Sequence, residues 1–93
     1  MRTIKRATAF RRDYRWIKTV PRYKDLDALM IAVLEMLMAD MPLPPNNRDH
    51  SLSGDWAGYR ECHIRPDLLL IYDTSDKSLL RLVRLGSHSD LFG

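Results

Sequence analysis

The sequence predicts an α+β domain in which two N-terminal helices pack on a small, mostly antiparallel sheet. Three observations lead to this prediction. Apolar residues recur at spacings of three and four in residues 7–41, apolar runs typical of strands follow in residues 56–85, and a proline-rich segment at residues 42–47 separates the two patterns. A length of 93 residues suits one domain, which we expect to span residues 1–93.

The N-terminal half begins with a predicted short strand at residues 2–6, followed by a helix that starts near Ala7. Pro21 can end this helix, because proline lacks the amide hydrogen that a helix interior needs. Spacings of three and four give the helix one apolar face and a separate basic stripe. The basic residues are Arg11, Arg15, Lys18 and Arg22.

A second helix is predicted from about Lys24 to Asp40. Its apolar stripe is too broad for a helix on the protein surface, so we expect this helix to lie against the sheet. The stripe consists of Leu26, Leu29, Met30, Val33, Leu37 and Met41, and it is widened by Ile31, Leu34 and Met38.

The C-terminal half predicts three strands. The run Leu68–Tyr72 is entirely apolar, which is typical of a central strand buried on both faces. A strand at Trp56–Arg65 precedes it, and a turn at residues 73–77 leads to a further strand at Ser78–Leu85. Gly86 should break that strand and leave a flexible polar tail. The predicted order of elements is therefore β-α-α-β-β-β.

Charge is distributed unevenly along the chain. Residues 1–24 hold nine Lys and Arg against one acidic residue, a net charge of +8, whereas residues 25–93 have a net charge of −5. A basic segment of this kind favours an anionic partner, most simply nucleic acid. A solvated basic helix face is the alternative interpretation.

Composition excludes several classes of protein. The single cysteine, Cys62, excludes an internal disulfide and fits a reducing compartment. The most apolar stretch, residues 28–39, is too short to span a bilayer and is interrupted by Glu35. No apolar signal core follows the basic N-terminus. We therefore expect a cytoplasmic protein without membrane contact.

Three histidines and one aspartate are the candidate catalytic residues: His50, His63, His88 and Asp67. Histidine titrates near neutral pH and suits proton transfer. In a ribonuclease that uses no metal, a base removes the proton of the RNA 2′-hydroxyl, an acid protonates the 5′ leaving oxygen, and cations stabilise the phosphate. This inventory of residues fits such a site.

Two other interpretations of these residues stay open. Any one histidine taken alone is more simply an incidental surface residue or a hydrogen-bonded one. A zinc site built from the same four side chains uses permitted ligand types, but no closely spaced pair of ligands points to it. We expect no metal and no cofactor.

The C-terminal half also resembles the YafQ type of toxin within the RelE superfamily. The resemblance is carried by short motifs that occur in the family's order and with nearly its spacing. These motifs are Pro42-Leu43-Pro44, Asp49-His50, Leu52 to Trp56, Gly58-Tyr59-Arg60, His63, Pro66-Asp67, Leu70-Ile71-Tyr72, Asp76-Lys77, Gly86-Ser87-His88 and Leu91-Phe92-Gly93. Two departures are an apparent extra residue in the 73–85 hairpin and Glu61 in place of an aspartate.

The resemblance implies a RelE-like βααβββ fold, endoribonuclease activity on ribosome-bound mRNA, and neutralisation by a cognate antitoxin. Carried over by position, it assigns proton transfer and phosphate stabilisation to His50, His63, Asp67 and His88, and base contact to Phe92. Arg60 and Arg84 are expected to bind substrate. The basic residues Arg11, Arg15, Lys18 and Arg22 are expected to bind ribosomal RNA.

Chain path suggests how the four catalytic candidates divide their roles. We expect them to converge at one edge of the sheet, with His50 ahead of the first strand of the C-terminal half. A flexible tail would let His88 act as the acid, with Asp67 or His50 as the base and His63 holding the phosphate. The strongest alternative function is a toxin of the same fold and the ParE kind, which inhibits DNA gyrase and is no nuclease. An RNA-binding module without catalysis is a further alternative.

Overall fold

A computed structural model describes all of residues 1–93 as one five-stranded sheet with three α-helices. The strands are β1 (Thr3–Arg6), β2 (His50–Ser51), β3 (Arg60–Arg65), β4 (Leu68–Asp73) and β5 (Leu79–Gly86). The helices are α1 (Thr8–Ile17), α2 (Leu26–Met38) and α3 (His88–Phe92), and short 3₁₀ turns occur at Pro21–Tyr23, Pro45–Asn47 and Gly54–Trp56. The α+β class predicted from the sequence is confirmed.

The strands are ordered β1-β5-β4-β3-β2 across the sheet. β1 pairs in parallel with β5, and every other neighbouring pair is antiparallel. β4 is therefore the central strand, and its residues Leu68–Tyr72 are all buried. The entirely apolar run predicted this position correctly, because a strand covered on both faces buries consecutive side chains.

The two faces of the sheet are covered differently. On the side that we call the helix face, α1 and α2 pack over Leu70 and Leu82 and form the main core. On the side that we call the distal face, Leu69 and Ile71 lie under Leu91 of α3 in a smaller cluster. Alternation of side chains along β4 sends its even-numbered residues to one face and its odd-numbered residues to the other.

The hairpin between β4 and β5 contains a bulge. Leu82 pairs with Tyr72 and Arg84 pairs with Ile71, so Val83 has no partner on β4. An extra residue inserted into one strand of an antiparallel pair has this effect. The bulge lies in the hairpin where the sequence suggested one residue more than its relatives have.

Two predictions about the strands are wrong. The strand predicted at Trp56–Arg65 begins only at Arg60, because Gly54 and Gly58 have φ angles of 66° and 93° that turn the chain away from an extended path. His50, predicted to lie ahead of the sheet, lies within it as the first residue of β2. A two-residue strand is too short to produce a periodic pattern in the sequence.

The predicted flexible tail is also wrong, because it forms α3. The Ser87 hydroxyl accepts a hydrogen bond from the Asp90 amide at 3.1 Å, and the Asp90 carboxylate accepts one from the Ser87 amide at 3.1 Å. These reciprocal bonds form a capping box that fixes the start of the helix. A Cβ at Gly86 would lie 3.1 Å from Asp90 Cβ, so glycine allows α3 to fold back closely on β5.

Both predicted N-terminal helices form, with small differences. α1 ends at Ile17 rather than near Pro21, and Arg22 therefore lies in the following 3₁₀ turn. Within the predicted apolar stripe of the second helix, Ile31 and Met41 are 56% and 55% exposed. The stripe was thus predicted too broad at its edges. No helix combines the length and the apolar content that crossing a membrane requires.

Candidate active site

The three histidines share the distal face of the sheet. His50 pairs with Glu61 across β2 and β3, and paired residues on antiparallel strands project to the same side. His63 follows Glu61 by two positions and pairs with Leu69 of the distal cluster. His88 begins α3, which packs on that same cluster.

The pairing register also places several of the predicted site residues at one end of the sheet. His63 pairs with Leu69, and Leu69 pairs with Gly86, so these residues form one row across three strands. Strands lie about 5 Å apart, which places the start of α3 about 10 Å from His63 in the plane of the sheet. Asp67, in the turn between β3 and β4, lies at this same end. The predicted site residues thus come from four separate elements of the fold.

His50 is held by acceptors on both sides of its ring. Its Nε2 lies 3.1 Å from Glu61 Oε2, and its Nδ1 lies 2.6 Å from the Arg48 carbonyl oxygen. A ring with protons on both nitrogens satisfies both contacts, whereas either neutral tautomer satisfies one. His50 is therefore fixed between a carboxylate and a backbone carbonyl.

Glu61 is a site residue that the sequence did not single out. It is the one charged residue that the fold buries, and its Oε1 has no hydrogen-bond partner. It precedes His63 by two positions on β3, so the two side chains share a strand face. Its contact with His50 depends on the pairing of β2 with β3, which no sequence pattern revealed.

Asp67 is engaged by the segment that links α1 to α2. Its Oδ2 accepts a hydrogen bond from the Tyr23 hydroxyl at 2.9 Å and forms an ion pair with the Arg22 guanidinium. Burial raises the pKa of Tyr23, and the bond to Asp67 raises it further, so the phenol stays a donor at neutral pH. Arg22, predicted to be a member of the basic stripe on α1, instead lies beside a candidate catalytic group.

His63 and His88 keep ring nitrogens free. His63 Nδ1 lies 3.3 Å from the Pro66 carbonyl oxygen, which can only accept a hydrogen bond, and Nε2 has no protein partner. The exposed His88 ring forms no hydrogen bond and contacts Phe92, with the ring centroids 5.0 Å apart. Each of these two rings therefore has at least one nitrogen without a protein partner.

Phe92 combines packing with exposure. Its ring meets Trp56 edge to face, with centroids 6.1 Å apart, and Trp56 meets Tyr59 in the same way at 5.5 Å. Phe92 is thus partly buried against the distal cluster. Trp56 therefore supports the ring that we expected to contact a base.

Arg60 and Arg84, expected to bind substrate, are both held by carboxylates. Arg84 Nε lies 2.7 Å from an Asp13 carboxylate oxygen, and this bond raises the pKa of the guanidinium. Arg60 Nη2 lies 3.2 Å from Asp49, and Arg60 pairs with Tyr72 of the main core, which puts it on the helix face, opposite His63. Their observed contacts therefore favour structural roles.

A second surface lies between α1 and α2. An open groove of about 920 Å³ has a basic rim along α1 and a largely apolar floor. We call the three basic residues that remain of the predicted stripe, Arg11, Arg15 and Lys18, the groove stripe. The floor includes Phe10, Tyr14, Met30, Ile31, Leu34 and Leu82. No three histidine, cysteine or acidic side chains anywhere in the chain are grouped so that they could hold a metal ion.

Comparison with known proteins gives consistent matches. Residues 2–93 match the model of a family described as a bacterial toxin of type II toxin-antitoxin systems, YafQ. The mRNA interferase toxin YafQ of Escherichia coli K12 is 44% identical over 72 residues, which is 77% of each chain. YafQ in the E. coli DinJ-YafQ complex superposes with a TM-score of 0.85 at 36% identity, over 100% of both chains. A metal-bound toxin from Helicobacter pylori gives 0.83 at 40% identity, over 99% of this chain and 100% of that one.

Proposed function

The chain belongs to the YafQ family of type II toxins, and from that premise we propose that it is an endoribonuclease that cleaves mRNA on the ribosome and so stops translation. The E. coli relative is named an mRNA interferase. The observation that supports the proposal most directly is the placement of His50, His63 and His88 on one face of the sheet, with Asp67 at the same end.

The cleavage step begins at the ribose. The 2′-hydroxyl oxygen attacks the adjacent phosphorus and forms a 2′,3′-cyclic phosphate, while the bond from phosphorus to the 5′ oxygen breaks. His63 takes the proton of the 2′-hydroxyl, because its Nε2 is the free ring nitrogen on the distal face. His88 gives a proton to the departing 5′ oxygen.

Positive charge stabilises the crowded phosphate. His50, held between two acceptors, contributes an imidazolium, and Arg22 contributes a guanidinium whose position Asp67 fixes. Cations placed where negative charge develops lower the barrier more than the same groups would in water. Phe92 offers the exposed part of its ring to a base, as aromatic side chains do in other proteins that bind single strands.

Product chemistry tests this mechanism. Cleaved mRNA should carry a 2′,3′-cyclic phosphate or 3′-phosphate on one fragment and a 5′-hydroxyl on the other. A 5′-phosphate would rule out attack by the 2′-hydroxyl. Cleavage should also survive EDTA when magnesium is then restored to keep the ribosomes intact. Stoichiometric transition metal in the purified protein, lost together with activity, would contradict a metal-independent reaction.

Cells can distinguish this function from the alternative of gyrase inhibition. After induction, pulse labelling should show that protein synthesis stops before DNA replication does. If replication stops first and ribosome-bound mRNA stays intact, the protein acts as a toxin of the ParE kind.

The groove stripe is proposed to hold the ribosome. Replacing Arg11, Arg15 and Lys18 by Gln should weaken ribosome association in a salt-dependent manner, because contacts with phosphate release counterions. A matched control removes three exposed cations from other places, Lys5, Lys77 and Arg81. Cleavage at saturating toxin should change little in either triple variant. Loss of cleavage with intact ribosome binding would contradict a binding role.

The same groove is proposed to receive the antitoxin. An apolar floor under a basic rim is complementary to an acidic amphipathic segment. Ile31→Glu should weaken the antitoxin complex at least about tenfold, equivalent to about 1.4 kcal/mol. Met41→Glu is the control, since Met41 is exposed to the same degree and does not line the groove. Equal affinities of the two variants, measured by calorimetry, would place the antitoxin elsewhere.

A further inference from the structure

His50 lies on a very short strand. β2 has two residues, lies at the edge of the sheet, and follows Arg48, whose φ of 48° is left-handed. A strand this short has few ladder hydrogen bonds of its own. A slip of one residue would turn His50 to the other face of the sheet. Some other contact must therefore fix β2 on β3.

Asp49, directly before His50, makes such a contact. Its Oδ2 accepts a hydrogen bond from Arg60 Nη2 at 3.2 Å, and its Oδ1 accepts one from the Tyr72 hydroxyl. Arg60 Nε also donates to the Tyr72 oxygen at 3.3 Å, which closes a triangle. The three side chains tie the start of β2 to β3 and to the central strand β4.

The triangle lies on the side of the sheet away from the histidines. Arg60 and Tyr72 are paired across β3 and β4, and Tyr72 belongs to the core under the helices. Asp49 points to that side while His50, the next residue, points to Glu61 on the distal face. Burial, together with the bond to Asp49, raises the pKa of Tyr72, so the phenol remains a donor.

We infer that Asp49 is a positioning residue for cleavage: through Arg60 and Tyr72 it holds β2 in register, so that the His50 imidazole stands beside Glu61. It does not touch the substrate. The inference rests on the proposed function, because it requires His50 to take part in the reaction. A carboxylate is needed, since only an ionised oxygen pair accepts from a guanidinium and a phenol with charge assistance.

A double-mutant cycle on cleavage tests this role. Asp49→Asn keeps the size of the side chain and removes its charge. Single-turnover cleavage of ribosome-bound mRNA at saturating toxin should slow by roughly 10–100-fold, the size of effect that misplacing a reacting group produces. In the His50→Ala background the same change should cause no further loss. Tyr72→Phe, which removes one hydroxyl, should slow cleavage less and should not add to the effect of Asp49→Asn.

Matched controls separate positioning from stability. Asp40→Asn breaks an Arg–Asp pair of 2.7 Å elsewhere in the fold, and it should leave cleavage unchanged. All variants are compared at a temperature where circular dichroism shows them folded. If Asp49→Asn does not fold, Tyr72→Phe provides the cycle with His50→Ala in its place. The half-saturating toxin concentration should not change, because Asp49, Arg60 and Tyr72 do not line the groove.

The possible outcomes are distinct. Full activity of Asp49→Asn, or an equal loss with and without His50, would overturn the inference and leave the proposed function standing. Full activity of His50→Ala would overturn the assignment of His50 to the site, and the inference with it. Loss in both single variants without additivity would support both.

Discussion

The two faces of the sheet differ in how much of the protein they bury. The helix face encloses a cluster of 15 buried residues that draws on α1, α2 and three strands, whereas the distal face has a cluster of three. All three histidines stand on the side with the smaller cluster. The main apolar core therefore lies on one face of the sheet, and the candidate active-site histidines lie on the other.

A physical reason for this division lies in solvation. A side chain that exchanges protons with RNA needs access to solvent and substrate, and a closed core would deny it both. His50 and His88 are exposed, while neighbouring Leu69 and Ile71 stay buried. The small apolar cluster under α3 supports the histidines without covering them.

The largest expected effect is a loss of cleavage without a loss of stability, caused by variants on the distal face. His63→Ala and His88→Ala should each slow cleavage by roughly 10²–10⁴-fold, because each removes a proton transfer. Neither should change the free energy of unfolding by more than about 0.5 kcal/mol, since neither ring belongs to a core cluster. Denaturant unfolding and single-turnover cleavage measure the two effects. Full activity of the double variant would remove these histidines from the site.

The reverse effect is expected on the helix face. Leu80→Ala should lower the free energy of unfolding by about 2–5 kcal/mol, because Leu80 is completely buried and leaves a cavity. Cleavage per folded molecule should be unchanged. Leu52→Ala is the matched control, a half-buried leucine packed on the distal cluster, and it should cost less. If Leu52→Ala costs as much, the two faces do not divide stability as described.

Ser87→Ala should have a smaller effect, and it should lower both stability and cleavage. Losing the capping hydroxyl should cost about 0.5–2 kcal/mol, and that cost falls on α3. Because α3 carries His88, cleavage should also fall, but by less than in His88→Ala. Ser75→Ala, in an exposed turn, should change neither quantity. A fall in stability without any fall in activity would show that His88 does not need the cap.

Cys62 provides the smallest perturbation, since it requires no substitution. The thiol is fully buried on the helix face, and burial raises its pKa well above that of a free cysteine. A raised pKa means less thiolate at any given pH, so a disulfide reagent should react slowly with the folded protein up to pH 9. Unfolding should restore the ordinary rate. Fast labelling of the native protein would show that the helix face opens readily.

Long apolar patterns were predictable from the sequence, and short polar elements were not. Leu68–Tyr72 predicted the central strand, because a short apolar run bounded by turn residues is typical of a strand buried on both faces. β2 and α3 were missed as elements, because two residues in a strand and five in a helix are too few to repeat the period of either structure. The capping box of Ser87 and Asp90 was visible in the sequence and could have indicated α3.

The candidate site shows the same limit. Resemblance to a family supplied His50, His63, Asp67, His88 and Phe92 as one set, but composition alone gave only an inventory. The contacts of Glu61 with His50 and of Arg22 with Asp67 join residues distant in sequence. Such contacts depend on strand register and on the residue at which α1 ends, and no local sequence pattern specifies either.

Pairing of β1 with β5 has a consequence for the newly made chain. Thr3 lies opposite Leu79, so the first strand cannot pair with its neighbour until residues 79–82 have been synthesised. α1 and α2 emerge early, yet the surface on which they pack belongs to β3, β4 and β5. Contacts between such distant segments form late, because a long loop must close first. The five-stranded sheet is therefore completed only after β5 has been synthesised, although the helices that cover it are made much earlier.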